Sequence, residues 1–539
     1  MSASPWRIVE EVGMMQARRA RRLDSRGRSA SRSRWAALVA AVALLAAACG
    51  GDDATTAAPQ PEPPPAPAAD DAAPAPPPEP APAPAGEDPA PPPAPSGDAA
   101  PPPAPAEAAD DAAPAPPPEP VPAPAGDDAA PAPQPPAPAP EPTPAPPEAP
   151  PAPPPEPEPT AGFDGSTITL GYLVDQSGAL AIIGGPLLAG SQLYWDWVND
   201  ELGGVAGKYQ VTLAVGDTND SEGQTVQEYQ RLKDDVVLFA EVLSTPPVQA
   251  LLEFLNEDGI VAVPGSLAGA WANEPLLVPT GAAYEYEAIN LADWYVNHSG
   301  LASGDDVYCA VYVNDKYGRD SLRGVEFAAE RLGFSLAETQ TINRGDRSFT
   351  AQVAAFADAD CTVIFAITVP TEQHGMLTEA ASQGLDPVWL GLLPSYLNLF
   401  AAAGADLYAK YYVALDSPEL TDTSVPGIVK FNERFERYGS GSISTFVLSG
   451  YFLQFAVHAL LEKAAELGDF SRAGIQNALA QLGEVDSDGL AAENYVYGTP
   501  ENRRPTSAVR IKVFDPTAPP VFLRDIMIVD SPLNDEFDL

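Results

Sequence analysis

The chain has few side chains able to do covalent or metal chemistry: three cysteines and three histidines in 539 residues. His298, His374 and His458 stand far apart, and none belongs to a His-Glu-x-x-His run, so no metal site is expected. The sequence has no Gly-x-Ser-x-Gly elbow and no phosphate-cradling loop. An enzyme would have to be a carboxylate-based hydrolase, and no pair of acids stands out for that work. The expectation is no enzyme, no catalytic residue and no cofactor. Binding chemistry is what remains. Thr245, followed by Pro246, reads as the N-cap of a helix, and the positive end of that helix suits an anion. A plain cap with no ligand fits the same residues. Cys309 and Cys361 stand near the starts of two strands, where they form either a disulfide or two buried free thiols.

The elements that position these residues follow from periodicity. Strands are expected over 167–174, 209–215, 236–242 and 260–263, with helices over 187–202, 221–233 and 246–258 between them. After Pro279 the pattern restarts. Helices are expected at 284–297, 317–332, 349–357 and 372–383, and strands at 306–313, 336–342, 361–368 and 388–390. Such alternation predicts parallel sheets covered by helices, and two sets in series predict two lobes. Ligands of open α/β sheets sit beyond the carboxyl ends of the strands, so the default site is a cleft between the lobes.

The N-terminal part has a different character. Residues 52–160 are Pro-rich low complexity, with the run from Ala69 repeated from Ala109. They lack the apolar surface to build a core, and an extended, disordered spacer is expected. Eight arginines between Arg18 and Arg34 precede an apolar run over 36–48, the pattern of a secretory signal. Leu45-Ala-Ala-Ala-Cys49-Gly50 resembles a bacterial lipoprotein processing motif, with Ala46 where Leu is usual. That resemblance implies acylation of Cys49 and a lipid anchor on the outer face of the cell membrane. The formal net charge of −45 argues against nucleic acid as a partner.

Within the head, several pieces occur in a specific order. They are Ser177-Gly178, Gly190, Asn199 with Gly203-Gly204-Val205 and Gly207, Asp217, Asp315-Lys-Tyr-Gly318, and Gly450-Tyr451 with the helix through Leu461. Over residues 168–515 the chain thereby resembles a type 1 periplasmic binding protein of the leucine/isoleucine/valine-binding family, the solute receptors of ABC importers. The resemblance implies two Rossmann-like lobes joined by a hinge of three crossings, near Pro279, near Val413 and near 484–488. Lobe 1 is expected at about 163–280 and 412–485, and lobe 2 at about 281–411 and 486–539. Residues 1–48 are the signal and 49–162 the linker.

It also implies a ligand site. Thr245, with its neighbour Ser244, matches the hydroxyl that holds the ligand carboxylate. Ser266 matches a backbone amide donor, Ala268 replaces a usual Thr, and Tyr317 matches the second-lobe Tyr. Ile183 stands where an aromatic is expected. Leu393 stands where an acid usually meets the ligand ammonium, which puts an amino-acid ligand in doubt. Thr368, Pro394, Ser395 and Tyr396 are expected to rebuild that wall. The partners implied are a small amino acid-like molecule or related carboxylate or amide, an ABC permease and its ATPase, with the receptor a monomer. A ligand-sensing or structural surface lipoprotein of the same fold, without a transporter, is the alternative.

Overall fold

Thr167–Val174 (β1) is continuous in β-branched and apolar residues, and such a run is stable only when covered on both faces. In the computed structural model, which describes residues 156–539, it is the second strand of a parallel four-stranded sheet. The order is β2-β1-β3-β4, with β2 at Gln210–Asp217, β3 at Leu238–Leu243 and β4 at Ala262–Gly265. Helices α1 (Ala181–Trp197), α2 (Glu222–Leu232) and α3 (Thr245–Asp258) connect them. The signal, Cys49 and the linker up to residue 155 lie outside the described residues.

The second sheet has seven strands in the order β13-β12-β9-β8-β7-β5-β6. Strands β5 (Tyr308–Val313), β6 (Leu336–Ile342), β7 (Val363–Ile367), β8 (Val388–Gly391) and β9 (Tyr411–Leu415) are parallel. Helices α4 (Tyr284–Asp293), α5 (Lys316–Leu332), α6 (Thr350–Asp358) and α7 (Pro370–Gln383) belong to this lobe, followed by the short α8 (Asn398–Ala403). Cys309 and Cys361, at the starts of adjacent strands, form a disulfide with Cα atoms 6.0 Å apart. On a loop-entropy model a cross-link 52 residues apart contributes about 4 kcal/mol.

The chain then returns to the first lobe through α9 (Pro426–Tyr438), α10 (Thr445–Leu467) and α11 (Arg472–Ala480). It leaves again by a hairpin of β10 (Gly483–Val485) and β11 (Tyr495–Tyr497). It ends as β12 (Val509–Phe514) and β13 (Leu523–Val529), which extend the second sheet antiparallel from β9. Helix α10 is long and apolar enough to cross a membrane, yet it is largely covered by protein. It packs on α1, and the two backbones touch at glycines. A Cβ on Gly190 would lie 2.1 Å from the Val447 carbonyl, and one on Gly450 would lie 2.0 Å from that of Leu187. A buried network fixes the pair. Trp195 Nε1 donates to Tyr172 Oη (3.0 Å), Tyr172 donates to Gln454 Oε1 (2.7 Å), and Gln454 Nε2 donates to Ser191 Oγ (3.0 Å).

Three expectations are corrected. Helix α1 begins at Ala181 rather than 187, although Gly184-Gly185-Pro186 reads as a break. Gly184 is there because the Asp175 carbonyl lies 2.2 Å from where its Cβ would be, and the helix runs on through Pro186 although that residue has no N–H to give to the Ile182 carbonyl. Residues 412–415, expected in lobe 1, pair in the second sheet with β8 and β12, so the second crossing falls after Leu415. Residues 156–162, expected in the linker, already rest on the head. Lys208 Nζ meets Glu156 at 2.9 Å, and Thr169 donates to the Gly162 carbonyl at 2.7 Å.

Gly450→Val forces the α1–α10 backbones apart and is expected to cost about 3 kcal/mol or more, measured by urea unfolding of the full chain. A loss under about 1 kcal/mol would show that the crossing tolerates a side chain and does not hold the lobe.

Candidate functional site

Between the lobes lies a cavity of about 740 Å³, counting the part open to solvent. That size suits a small organic ligand. Three of its polar residues come from just beyond strand ends: Ser244 after β3, Ser266 after β4, Asp416 after β9. The apolar wall comes mainly from α1 and α10, through Ile183, Leu187, Phe446, Phe452 and Leu453. Val369 and Leu393 face them from the second lobe.

Helix α3 begins at Thr245, so its N-cap is Ser244, not Thr245 as the sequence suggested. Ser244 has φ 82° and ψ 146°, a conformation that costs a non-glycine residue about 1–3 kcal/mol. Its Oγ is buried and without a partner among the described residues. Thr245 Oγ1 lies 2.6 Å from Ser266 Oγ, which also accepts a hydrogen bond from Trp271 Nε1 at 3.1 Å. Three hydroxyls thus stand at the positive end of a helix, at one side of an apolar cavity.

Of the residues expected at the ligand, Ser244, Thr245, Ser266, Tyr317, Ile183 and Leu393 line this cavity; Pro394 does too. Ala268 and Thr368 do not. Ala268 is packed in the core beneath α3, and the Thr368 hydroxyl turns away to donate to Gln373 Oε1 at 2.7 Å. Ser395 and Tyr396 are also drawn inward, bonded to Tyr411 and to the Val521 carbonyl. The Tyr317 hydroxyl donates to the Thr368 carbonyl at 3.1 Å.

Asp416, Arg344, Thr280, Tyr284 and the α10 residues line the cavity without having been anticipated. Asp416 had one signal, its position after the strand-like Tyr411-Tyr-Val-Ala-Leu415. Burial pushes its carboxyl up to about 7. Leu393 has no acid of its own, but its N–H donates to Glu287 Oε2 at 3.0 Å, and burial holds that carboxyl well above the usual range. Arg344 ties the lobes together. Its guanidinium meets Asp315 Oδ2 of the second lobe at 2.7 Å and Asp220 Oδ1 of the first at 3.5 Å. Burial pushes Asp220 up to about 6. Beneath the floor, Glu241 of β3 is fully buried with neither carboxyl oxygen partnered among the described residues, and burial pushes it up to about 8.

A family model described as periplasmic binding protein matches residues 167–515. Among solved structures the chain is similar to a fatty acid ABC transporter substrate-binding protein from Thermomonospora curvata, at 26% identity and TM-score 0.66, covering 70% of this chain and 96% of that one. It shares its fold with a branched-chain amino acid ABC transporter protein from Thermus thermophilus with bound valine, at 17% identity and TM-score 0.60, covering 69% and 98%. It shares it also with a solute-binding protein from R. palustris in complex with 4-hydroxybenzoate, at 16% identity and TM-score 0.59, covering 68% and 98%. No curated protein matches the chain significantly.

Two outcomes follow from the geometry. Ser244→Gly relieves the left-handed backbone and is expected to raise unfolding free energy by about 1 kcal/mol; a loss in urea unfolding would show that Ser244 is not strained. The buried acids make stability depend on pH. Glu241 titrates at about 8 when folded and about 4.3 when unfolded, so its contribution is full below the lower value and lost as pH rises through the upper. Asp416 and Asp220 act with the same sign over lower windows. Urea unfolding across pH 4–9 is expected to show stability falling with pH. Glu241→Gln is expected to flatten the slope by up to about 1.4 kcal/mol per pH unit, and an unchanged slope would remove Glu241 as its source.

Proposed function

The chain belongs to the periplasmic binding protein family, and from that premise we propose that it captures a small organic acid with an apolar body between its lobes and delivers it to an ABC importer. The family's members are solute-binding proteins rather than enzymes, and they work outside the cytoplasm. One observation carries the choice of ligand: a cavity walled by aliphatic and aromatic side chains ends at Ser244, Thr245 and Ser266, on the N-terminus of α3. A ligand carboxylate would orient the hydroxyls in one direction. Trp271 donates to Ser266, Ser266 to Thr245, and the Thr245 proton is then free for the carboxylate. The name of the fatty-acid transporter relative supports the same ligand class.

An amino acid is the second reading, favoured by Asp416, the carboxylate in the cavity wall. Asp416 would then meet the ligand ammonium in place of the missing acid at Leu393. Against it, Asp416 is mostly buried and half protonated near neutral pH, which weakens it as a cation partner. In the full proposal residues 1–48 direct export, acylated Cys49 anchors the chain, and the Pro-rich segment spaces the head from the membrane. The head, from about residue 163, acts as a monomer.

Thermal unfolding of the full chain with aliphatic acids, aromatic acids, and Leu, Ile or Val separates the readings. Acids with apolar bodies are expected to raise the midpoint by mass action, and Leu, Ile and Val to leave it unchanged. Thr245→Ala is expected to weaken acid binding about tenfold, and Asp416→Asn to preserve it. A response to the amino acids alone, abolished by Asp416→Asn, would establish the second reading instead.

A further inference from the structure

Behind the ligand cavity, where the three crossings meet, lies a second cavity of about 420 Å³, counting the part open to solvent. Pro279, Thr280 and Gly281 of the first crossing wall it, together with Tyr495, Arg503 and Thr506 of the third. Thr280 and Leu267 line both cavities, so the two share a wall. The crossings are bonded to each other there, since the Tyr497 hydroxyl donates to the Pro279 carbonyl at 3.0 Å.

Arg503 is unusual for a buried cation. It is 8% exposed, and none of its nitrogens lies within ion-pairing distance of an acid among the described residues. Its Nη1 donates to the carbonyls of Trp271, Ala272 and Glu274, at 3.3, 3.4 and 3.1 Å. These bonds fix the plane of the guanidinium. Its Nε and Nη2 have no partner among the described residues. That is the edge with which an arginine receives two oxygens of a carboxylate or phosphate side by side. Tyr495 and Thr506, each more than nine-tenths buried, line the same cavity, and the Tyr495 hydroxyl and Thr506 Oγ1 also have no partner among the described residues. Arg504 stands at its rim, and no aspartate or glutamate is among the lining residues. Arg504 itself is paired with Glu493 at 3.6 Å, and the C-terminal residue Leu539 also lines the cavity, so Arg503 is the buried cation there that lacks an ion-pair partner among the described residues.

We propose that this hinge cavity is a second binding site, for a small oxyanion (a carboxylate, phosphate or sulfate group) held by Nε and Nη2 of Arg503 with the hydroxyls of Tyr495 and Thr506. The donor set is complete without a metal and needs an acceptor on every arm. Arg503, Tyr495 and Thr506 all belong to the segment 495–506, and Arg503 is bonded to first-lobe carbonyls, so a bound anion would brace that segment where it rests on the first lobe. Its donors are distinct from those of the interlobe cavity.

The test uses the full chain with inorganic phosphate, sulfate and acetate, each against chloride at equal ionic strength. At least one oxyanion is expected to raise the thermal midpoint saturably and to give a one-site isotherm by calorimetry. Acetate alone would identify a carboxylate, and phosphate or sulfate a tetrahedral anion. Arg503→Met is expected to abolish the response. Since that change also frees three carbonyls, the double variant Tyr495→Phe with Thr506→Val keeps the guanidinium and is expected to bind about tenfold more weakly. Thr245→Ala, in the other cavity, is expected to leave the response unchanged. No saturable response in the unaltered chain would overturn the site. So would a response that Thr245→Ala removes and the double variant does not, because the anion would then sit between the lobes.

Discussion

The close crossing of α1 and α10 is the contact on which the two-lobed structure depends. The first sheet, built from residues before 266, has only its own three connecting helices to cover it. Helix α10 supplies the missing cover from nearly two hundred residues away, and it can do so only because glycines meet at the crossing. The chain must therefore leave the first lobe and come back, and each passage becomes a strand of the hinge. The same helix pair then presents Ile183, Leu187, Phe446, Phe452 and Leu453 to the interlobe cavity. The covering of the first lobe and the apolar character of the site are one packing decision.

Charge is arranged against this background. The chain is strongly acidic, yet several acids nearest the cleft are buried and pushed toward the neutral form, among them Glu241, Glu287 and Asp416. Their shift toward the neutral form reduces the negative charge around a site that the overall charge would otherwise make repulsive to an anion. Buried cations stand where segments from different parts of the fold must be joined. Arg344 joins the lobes through Asp220 and Asp315, and Lys512 joins the last two strands through Asp525. Arg503 is the exception, bonded only to carbonyls, and its open edge is what sets the hinge cavity apart.

The reading from sequence succeeded where an element is decided locally. Strands 167–174 and 336–342 have the bounds that their patterns predict, because β-branched runs between turn residues leave little choice. It failed where a neighbour decides. The start of α1 turns on the backbone of Asp175, which no local pattern contains. Thr245 and Ser244 both suit a cap, and only the backbone angles show which one holds that place. Thr368 was assigned by position, yet its partner on α7 turns it out of the cavity. Asp416 and Arg344 reach the cleft from segments distant in sequence, and their arrival is a property of the assembled sheet. The last two strands bear on the same point: they join the sheet through antiparallel pairs, β12 on β9 and β13 on β12, so strand–helix alternation could not announce them.

These constraints converge on Thr280, which lines both cavities and whose Oγ1 is buried without a partner among the described residues. It belongs to the first crossing, one residue from Gly281, whose missing side chain leaves room for the Asp416 carboxylate of the second. The third crossing is tied to the first at Pro279. The three strands of the hinge therefore cannot turn independently: a change in the angle between the lobes moves Thr280, Asp416 and Tyr497 together. The first two of these residues line the cleft. An anion on Arg503 would hold the segment that carries the third. Each site would then sense the other through the hinge itself, by a coupling equal in both directions.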